Sequence, residues 1–69
     1  MSIRIKDLKG LRTAAGYGEV EGIERFAHKV GVHWQSIRNW ERGGTINRNN
    51  AARLAKALHV KLDDIKEVG

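Results

Sequence analysis

The chain has 69 residues, without cysteine or proline, and its 13 lysines and arginines against 8 acidic residues give a formal net charge of +5. This length allows a single domain, residues 1–69, with one compact core, while the lack of cysteine excludes disulfides and thiolate metal sites and favours a reducing, cytoplasmic compartment. No apolar run approaches the roughly 20 residues that span a bilayer, and the basic charge favours an anionic partner, nucleic acid before an acidic membrane.

Apolar residues recur every three or four positions along most of the chain, which predicts an all-α fold, a compact bundle of about five short helices. No stretch alternates apolar and polar residues for long enough to predict a strand. The first helix is predicted over about Ile3–Ala15 and ends at Gly16. The second carries apolar residues from Val20 to Val30, although Gly22 weakens it by about 1 kcal/mol relative to alanine and favours a start after that residue.

The third helix is predicted over about Trp34–Arg42 and stops at the following glycine pair. Asn47 is a favourable N-cap for a fourth helix, and the segment "HVKLDDIKEV" predicts a turn and a short helix that covers the core. The predicted core consists of Leu8, Phe26, Ala27, Val30, Val32, Ile37, Trp40, Leu54 and Leu58.

The stretch "GVHWQSIRNWERGG" holds two tryptophans six residues apart, so on a helix they cannot face the same core. Ile37 and Trp40 fall on one side, and the other side displays Trp34, Gln35, Arg38, Asn39 and Arg42. Glutamine and asparagine can bind adenine bidentately, arginine can bind guanine, and an apolar ring can contact a thymine methyl. With the preceding helix and glycine turn, this stretch predicts a helix-turn-helix whose last helix fits a DNA major groove.

The segment "FAHKVGVHWQSIRNWERGG" resembles the helix-turn-helix of the XRE family, to which the lambdoid phage repressors and Cro proteins belong. The likeness extends to "IKDLKGLRTAAG" and "LAKALHVKLDDI", so it covers most of the chain. It implies a lambda repressor-like DNA-binding domain and a sequence-specific, double-stranded-DNA-binding transcription regulator, a repressor or Cro-like protein. The matching positions are Phe26-Ala27, Gly31-Val32, His33, Ile37, Trp40-Glu41 and Gly43.

The resemblance also implies roles for individual residues. Ser36 and Arg42 would contact phosphate, and Arg12 matches an arginine that in many members pairs with the glutamate at Glu41 while reaching the DNA backbone. Two further basic side chains, His33 and Arg48, are candidates for phosphate contact. Base contacts are implied for Trp34, Gln35, Arg38 and Asn39.

Three departures from the family pattern qualify this transfer. Ile23 stands where members usually have a glutamine that anchors phosphate. About four extra residues separate Gly16 from Phe26, and His33 replaces the usual serine or threonine cap, which predicts a poorer N-cap with an extra donor.

Because one such domain covers only a few base pairs, we expect a homodimer on a two-fold symmetric operator, with residues from about His59 onward as the dimer surface. RNA polymerase or another regulator is a further candidate partner. An alternative function is that of a protein-binding antirepressor or antitoxin module with Trp34 as a hot spot. A third class, membrane attachment, has only a poor candidate in the first helix. Two aromatic side chains also have a purely structural interpretation, in which Trp34 packs on Arg38 and Tyr17 fills a loop against the core.

Chemical sites are not indicated by the sequence. The three histidines, His28, His33 and His59, share no metal-ligand spacing, and no nucleophile–base set, phosphate loop or cofactor fingerprint is present. Asp63 and Asp64 are adjacent and point in different directions on a helix, so they do not form a carboxylate pair. We therefore expect no enzyme, no metal and no cofactor.

Overall fold

The computed structural model describes residues 3–19 and 21–68. The predicted helical fold is confirmed, with five α-helices among these residues and one small sheet in addition. None of the described helices has the length and apolar character needed to cross a membrane. The elements in chain order are β1 (Ile3–Ile5), α1 (Leu8–Arg12), a π-helical turn (Thr13–Tyr17), α2 (Gly22–Val30), α3 (Trp34–Glu41), α4 (Arg48–Leu58), α5 (Leu62–Ile65) and β2 (Lys66–Val68).

The prediction that no strand is present, and that helix begins at Ile3, is wrong. β1 and β2 pair antiparallel, with Arg4 opposite Glu67, and a further bridge joins Ile3 to Ile46. Alternation over three residues is too short to recognise, and the partner strand lies at the other end of the chain, so the pairing depends on the folded core. α1 begins later because Asp7 caps it, its carboxylate accepting the Gly10 N–H at 3.3 Å.

The longer connection between α1 and α2 folds back on the core. The Tyr17 ring packs on Phe26 with ring centroids 5.3 Å apart, and the Arg25 guanidinium lies 5.6 Å from the Tyr17 centroid. Gly22 begins α2 and is buried, and a Cβ there would collide with the Tyr17 carbonyl. The glycine that weakens the helix in isolation therefore permits this close approach. Val20, the predicted start of the apolar side, lies outside the described residues.

A tight turn joins α2 to α3 and sets the angle between them. Gly31 has a positive φ of 90°, a conformation that favours glycine, and its N–H donates to the Ala27 carbonyl. The Val32 N–H donates to the same oxygen at 3.0 Å. This turn and the two helices form the predicted helix-turn-helix.

Eight of the nine predicted core residues are buried, and Val32 is half-buried because it lies in the turn at the surface. The predicted core does not include Ile5 and Ile46, which β1 and the segment before α4 bring into the same core. The eight buried residues are Leu8, Phe26, Ala27, Val30, Ile37, Trp40, Leu54 and Leu58.

The short C-terminal helix α5 covers the core, as the sequence predicts. The segment after it forms the strand β2. α4 begins at the predicted cap, where the Asn47 side-chain oxygen accepts the Asn50 N–H at 2.7 Å. Between α5 and β2 the Lys66 ammonium lies 2.9 Å from the Asp63 carboxylate, and this hydrogen bond and the ammonium charge hold the pKa of Asp63 below its usual value. The resulting stabilisation is present at neutral pH and is lost as the pH falls through the lowered pKa.

A nearly buried ion pair fixes α1 to α3. Arg12 Nε lies 2.7 Å from Glu41 Oε2, and the two side chains are 7% and 13% exposed. The same guanidinium donates through Nη1 to the Tyr17 carbonyl, so it also holds the connection before α2. Among the described residues no buried side-chain polar atom lacks a partner, and removing one member of the pair would change that.

We predict that Glu41→Gln lowers the free energy of unfolding by about 3 kcal/mol, because it leaves the Arg12 charge buried without its carboxylate. Urea denaturation followed by circular dichroism measures this value. The control is Glu24→Gln, the same chemical change at an exposed residue. The double variant Arg12→Met/Glu41→Leu removes both charges and is expected to be more stable than Glu41→Gln alone. A loss no larger for Glu41→Gln than for the control would contradict the role of the pair.

Candidate nucleic-acid interface

The side chains of α3 divide into an inward pair and an outward row. Ile37 is 0% exposed and Trp40 is 8% exposed, and both belong to the core. The outward row consists of Trp34, Gln35, Arg38, Asn39 and Arg42, with Arg42 as the C-cap, and all five are exposed. The helix can therefore approach a partner without any rearrangement of the core.

Trp34 is exposed but not free of contacts. The Arg38 Cζ lies 5.7 Å from the centroid of the Trp34 ring. The ring of the preceding residue, His33, has its centroid 5.4 Å from the same Trp34 centroid. Such a cation–π contact is worth about 0.5–1 kcal/mol at an exposed site. Because 36% of Trp34 still faces solvent, the contact orients the ring and the guanidinium and leaves both accessible.

His33 caps α3 with a ring nitrogen. Its Nδ1 accepts the Gln35 N–H at 3.1 Å, as a serine oxygen would at an N-cap. A neutral imidazole that accepts through Nδ1 carries its hydrogen on Nε2, so the cap retains a donor for a ligand beside the positive end of the helix dipole. The position therefore has a side-chain cap without a serine or threonine, and the lower strength of this cap stays a prediction.

The candidates for phosphate contact lie around this row and differ in their freedom. Arg42 is exposed, and Ser36 is half-buried. Arg48 begins α4, is exposed, and lies near enough to α5 for its charge to lower the pKa of Asp63. Arg12 is 6% exposed and is occupied by its two intramolecular partners. Arg12 and Arg38 both line a cavity of about 250 Å³. This cavity gives the remaining donors of Arg12 a route to solvent.

The start of α2 differs from the rest of this surface. Ile23 is half-buried against the core, so the position offers no side-chain donor to phosphate. Glu24 is exposed and lines a cavity of about 220 Å³ together with Ile23, Trp34 and Arg38. Glu19 and Glu21 are also exposed nearby in the chain. The fold therefore places the carboxylate of Glu24 beside the outward row, a position that depends on how α2 packs against α3.

The polar groups of the row are available for binding. In residues 3–19 and 21–68, the side chains of Gln35, Asn39 and Arg42 make no hydrogen bond or ion pair with another protein group. Across the described part of the chain, no group of three or more histidine and acidic side chains is placed to hold a metal ion. The surface thus offers donors, acceptors and an aromatic face, with cations toward the C-terminal end of α3 and an acid toward α2.

Comparison with known proteins agrees with this geometry. A family model described as "Helix-turn-helix", of the XRE type, matches residues 23–65, which include α3, α4 and α5 entirely and all but the first residue of α2. No curated protein matches the chain, and neither does any solved structure. The matched region is 43 of the 69 residues. The chain therefore belongs to the XRE-type helix-turn-helix family of DNA-binding transcription regulators.

Proposed function

We propose that this protein is a sequence-specific regulator of the repressor or Cro kind, which reads an operator in double-stranded DNA through α3. The observation that carries the proposal is the exposed row on α3, which combines an amide pair, two arginines and an indole on one face. Those are the groups that bind base edges in a major groove, where each good bidentate pair discriminates by about 1–3 kcal/mol. Gln35 and Asn39 are assigned to bases together with Trp34 and Arg38.

Phosphate contacts would hold this helix in register on the duplex. Arg42 and Arg48 flank the C-terminal end of α3 and the start of α4, and His33 and Ser36 lie at the opposite end of the helix. Arg12 would reach the backbone from beneath the row. Phosphate contacts fix orientation and carry no base information, so these two groups of residues should respond differently to mutation.

The acidic start of α2 limits how the duplex can approach. Glu24 lies beside Trp34 and Arg38, so a phosphate there would meet a carboxylate, and the neighbouring Ile23 offers it no donor. The duplex backbone is therefore expected to pass nearer to Arg42 and Arg48 than to α2. A single domain in this position covers few base pairs, so we propose a homodimer on a two-fold symmetric site, with residues from about His59 onward at the dimer surface.

A second candidate function, capture of a partner protein, is favoured by one observation. Trp34 is a large exposed apolar side chain, and the cavity of about 220 Å³ beside it could receive a partner side chain. Exposed tryptophans are common hot spots in protein interfaces. The two candidates differ in what Gln35 should do, because only base reading makes its effect depend on DNA sequence.

We predict that Gln35→Ala weakens binding to the cognate site by about 1–3 kcal/mol and leaves binding to random duplex almost unchanged, since the lost contact is to a base. Fluorescence anisotropy with both duplexes at one salt concentration measures the two values. Asn49→Ala, which removes an exposed amide on α4 outside the row, is the matched control. Equal losses on cognate and random DNA would exclude Gln35 from base reading.

We predict that Arg42→Ala weakens binding to all duplexes alike and reduces the slope of log K against log salt by about 0.9, because one phosphate contact is lost. Binding isotherms at four salt concentrations give this slope. As a control, Arg53→Ala removes the same charge from α4 at a position that does not border the outward row. Its salt slope should equal that of the wild type. A slope unchanged in Arg42→Ala would remove this residue from the phosphate contacts.

A further inference from the structure

One surface cavity lies away from α3 and is larger than the two cavities that border this helix. It has a volume of about 450 Å³, against about 250 and 220 Å³ for the two beside the outward row. It lies between the C-terminal ends of α2 and α4, and no residue of α3 lines it. We name it the basic groove, and its lining residues are Lys29, Val30, Arg53, Lys56, Ala57 and His59.

The basic groove concentrates positive charge that the protein does not neutralise. Three of its six lining residues, Lys29, Arg53 and Lys56, are cationic, a fourth is an imidazole, and none is acidic. Within residues 3–19 and 21–68, both ion pairs involve other side chains. The formal excess of the whole chain is +5, so these three cations equal more than half of it.

The helix ends beside the groove account for only part of this charge. Two helix C-termini meet here, and each carries roughly half a negative charge, about one unit together. Carbonyls in the last turn of each helix accept backbone donors from the following cap, since Ala27 O accepts from Gly31 and Val32, and Ala55 O accepts from Val60. About two positive charges therefore remain in a concave site without a structural task.

We propose that the basic groove is a binding site for a small molecule that carries two or more phosphate groups. Its volume falls in the range of small-ligand sites, about 300–1,000 Å³. The Arg53 guanidinium can bind two phosphate oxygens in its fixed fork geometry, and Lys29 and Lys56 supply ammonium charges on both flanking helices. Val30 and Ala57, the two apolar residues of the lining, are only 5% and 8% exposed, so neither offers a large apolar side chain to a peptide or protein.

The binding test uses the full chain, labelled with ¹⁵N, and inorganic tripolyphosphate as the probe. We expect saturable shifts of the amide resonances of Lys29, Lys56 and His59, with those of Gln35 and Asn39 unaffected. The variant Arg53→Gln/Lys56→Gln should weaken binding about tenfold or more, because it removes two charge-assisted contacts. The matched control Arg38→Gln/Arg42→Gln removes the same charge from the α3 row and should change affinity less than about twofold.

Separate outcomes would overturn the proposal. Equal losses in the two double variants would show attraction by net charge alone, and shifts centred on α3 would place the anion on the DNA-reading surface. Tighter binding of a poly-glutamate peptide than of tripolyphosphate would identify an acidic protein segment as the ligand. If tripolyphosphate does not bind, and the groove variant loses as much duplex affinity as the α3 variant, the groove contacts the DNA backbone instead.

Discussion

The anchoring of α3 from beneath is the constraint on which the whole surface depends. Ile37 and Trp40 bury the inner side of the helix, and Glu41 is fixed to Arg12 on α1 by a hydrogen-bonded ion pair of 2.7 Å. In a chain of 69 residues the core is small, so few contacts can hold an eight-residue helix in one orientation. Because these contacts occupy only the inward side, the outward side keeps its polar groups for a ligand.

The exposed side chains are themselves partly ordered before any ligand arrives. The His33 ring nitrogen caps the first turn, and the Arg38 guanidinium lies on the Trp34 ring. Immobilising a long side chain at an interface costs about 0.5–1.5 kcal/mol of conformational entropy. A side chain that is already restricted in the free protein loses less of this entropy on binding. One set of contacts can thus serve both the stability of the helix and recognition by it.

The helices and the division of α3 could be predicted from sequence because both depend on local spacing of apolar residues. The Asn47 cap was predictable because asparagine is a favourable N-cap residue, whereas the Asp7 cap was hidden by the apolar pattern that runs through it. The pairing of Ile3–Ile5 with Lys66–Val68 joins distant segments and leaves no local signal. The position of Glu24 beside Trp34, and the meeting of Lys29 with Arg53 and Lys56, likewise depend on how helices pack.

Whether α3 reads base edges can be measured by selecting bound sequences from a pool of randomised duplexes and sequencing the recovered DNA. Base readout by a dimer predicts enrichment of one two-fold symmetric sequence whose half-sites lie about one helical turn, roughly 10 base pairs, apart. Folded protein that recovers a pool as random as the input would contradict it, because an exposed row that enters the major groove must distinguish one sequence from another.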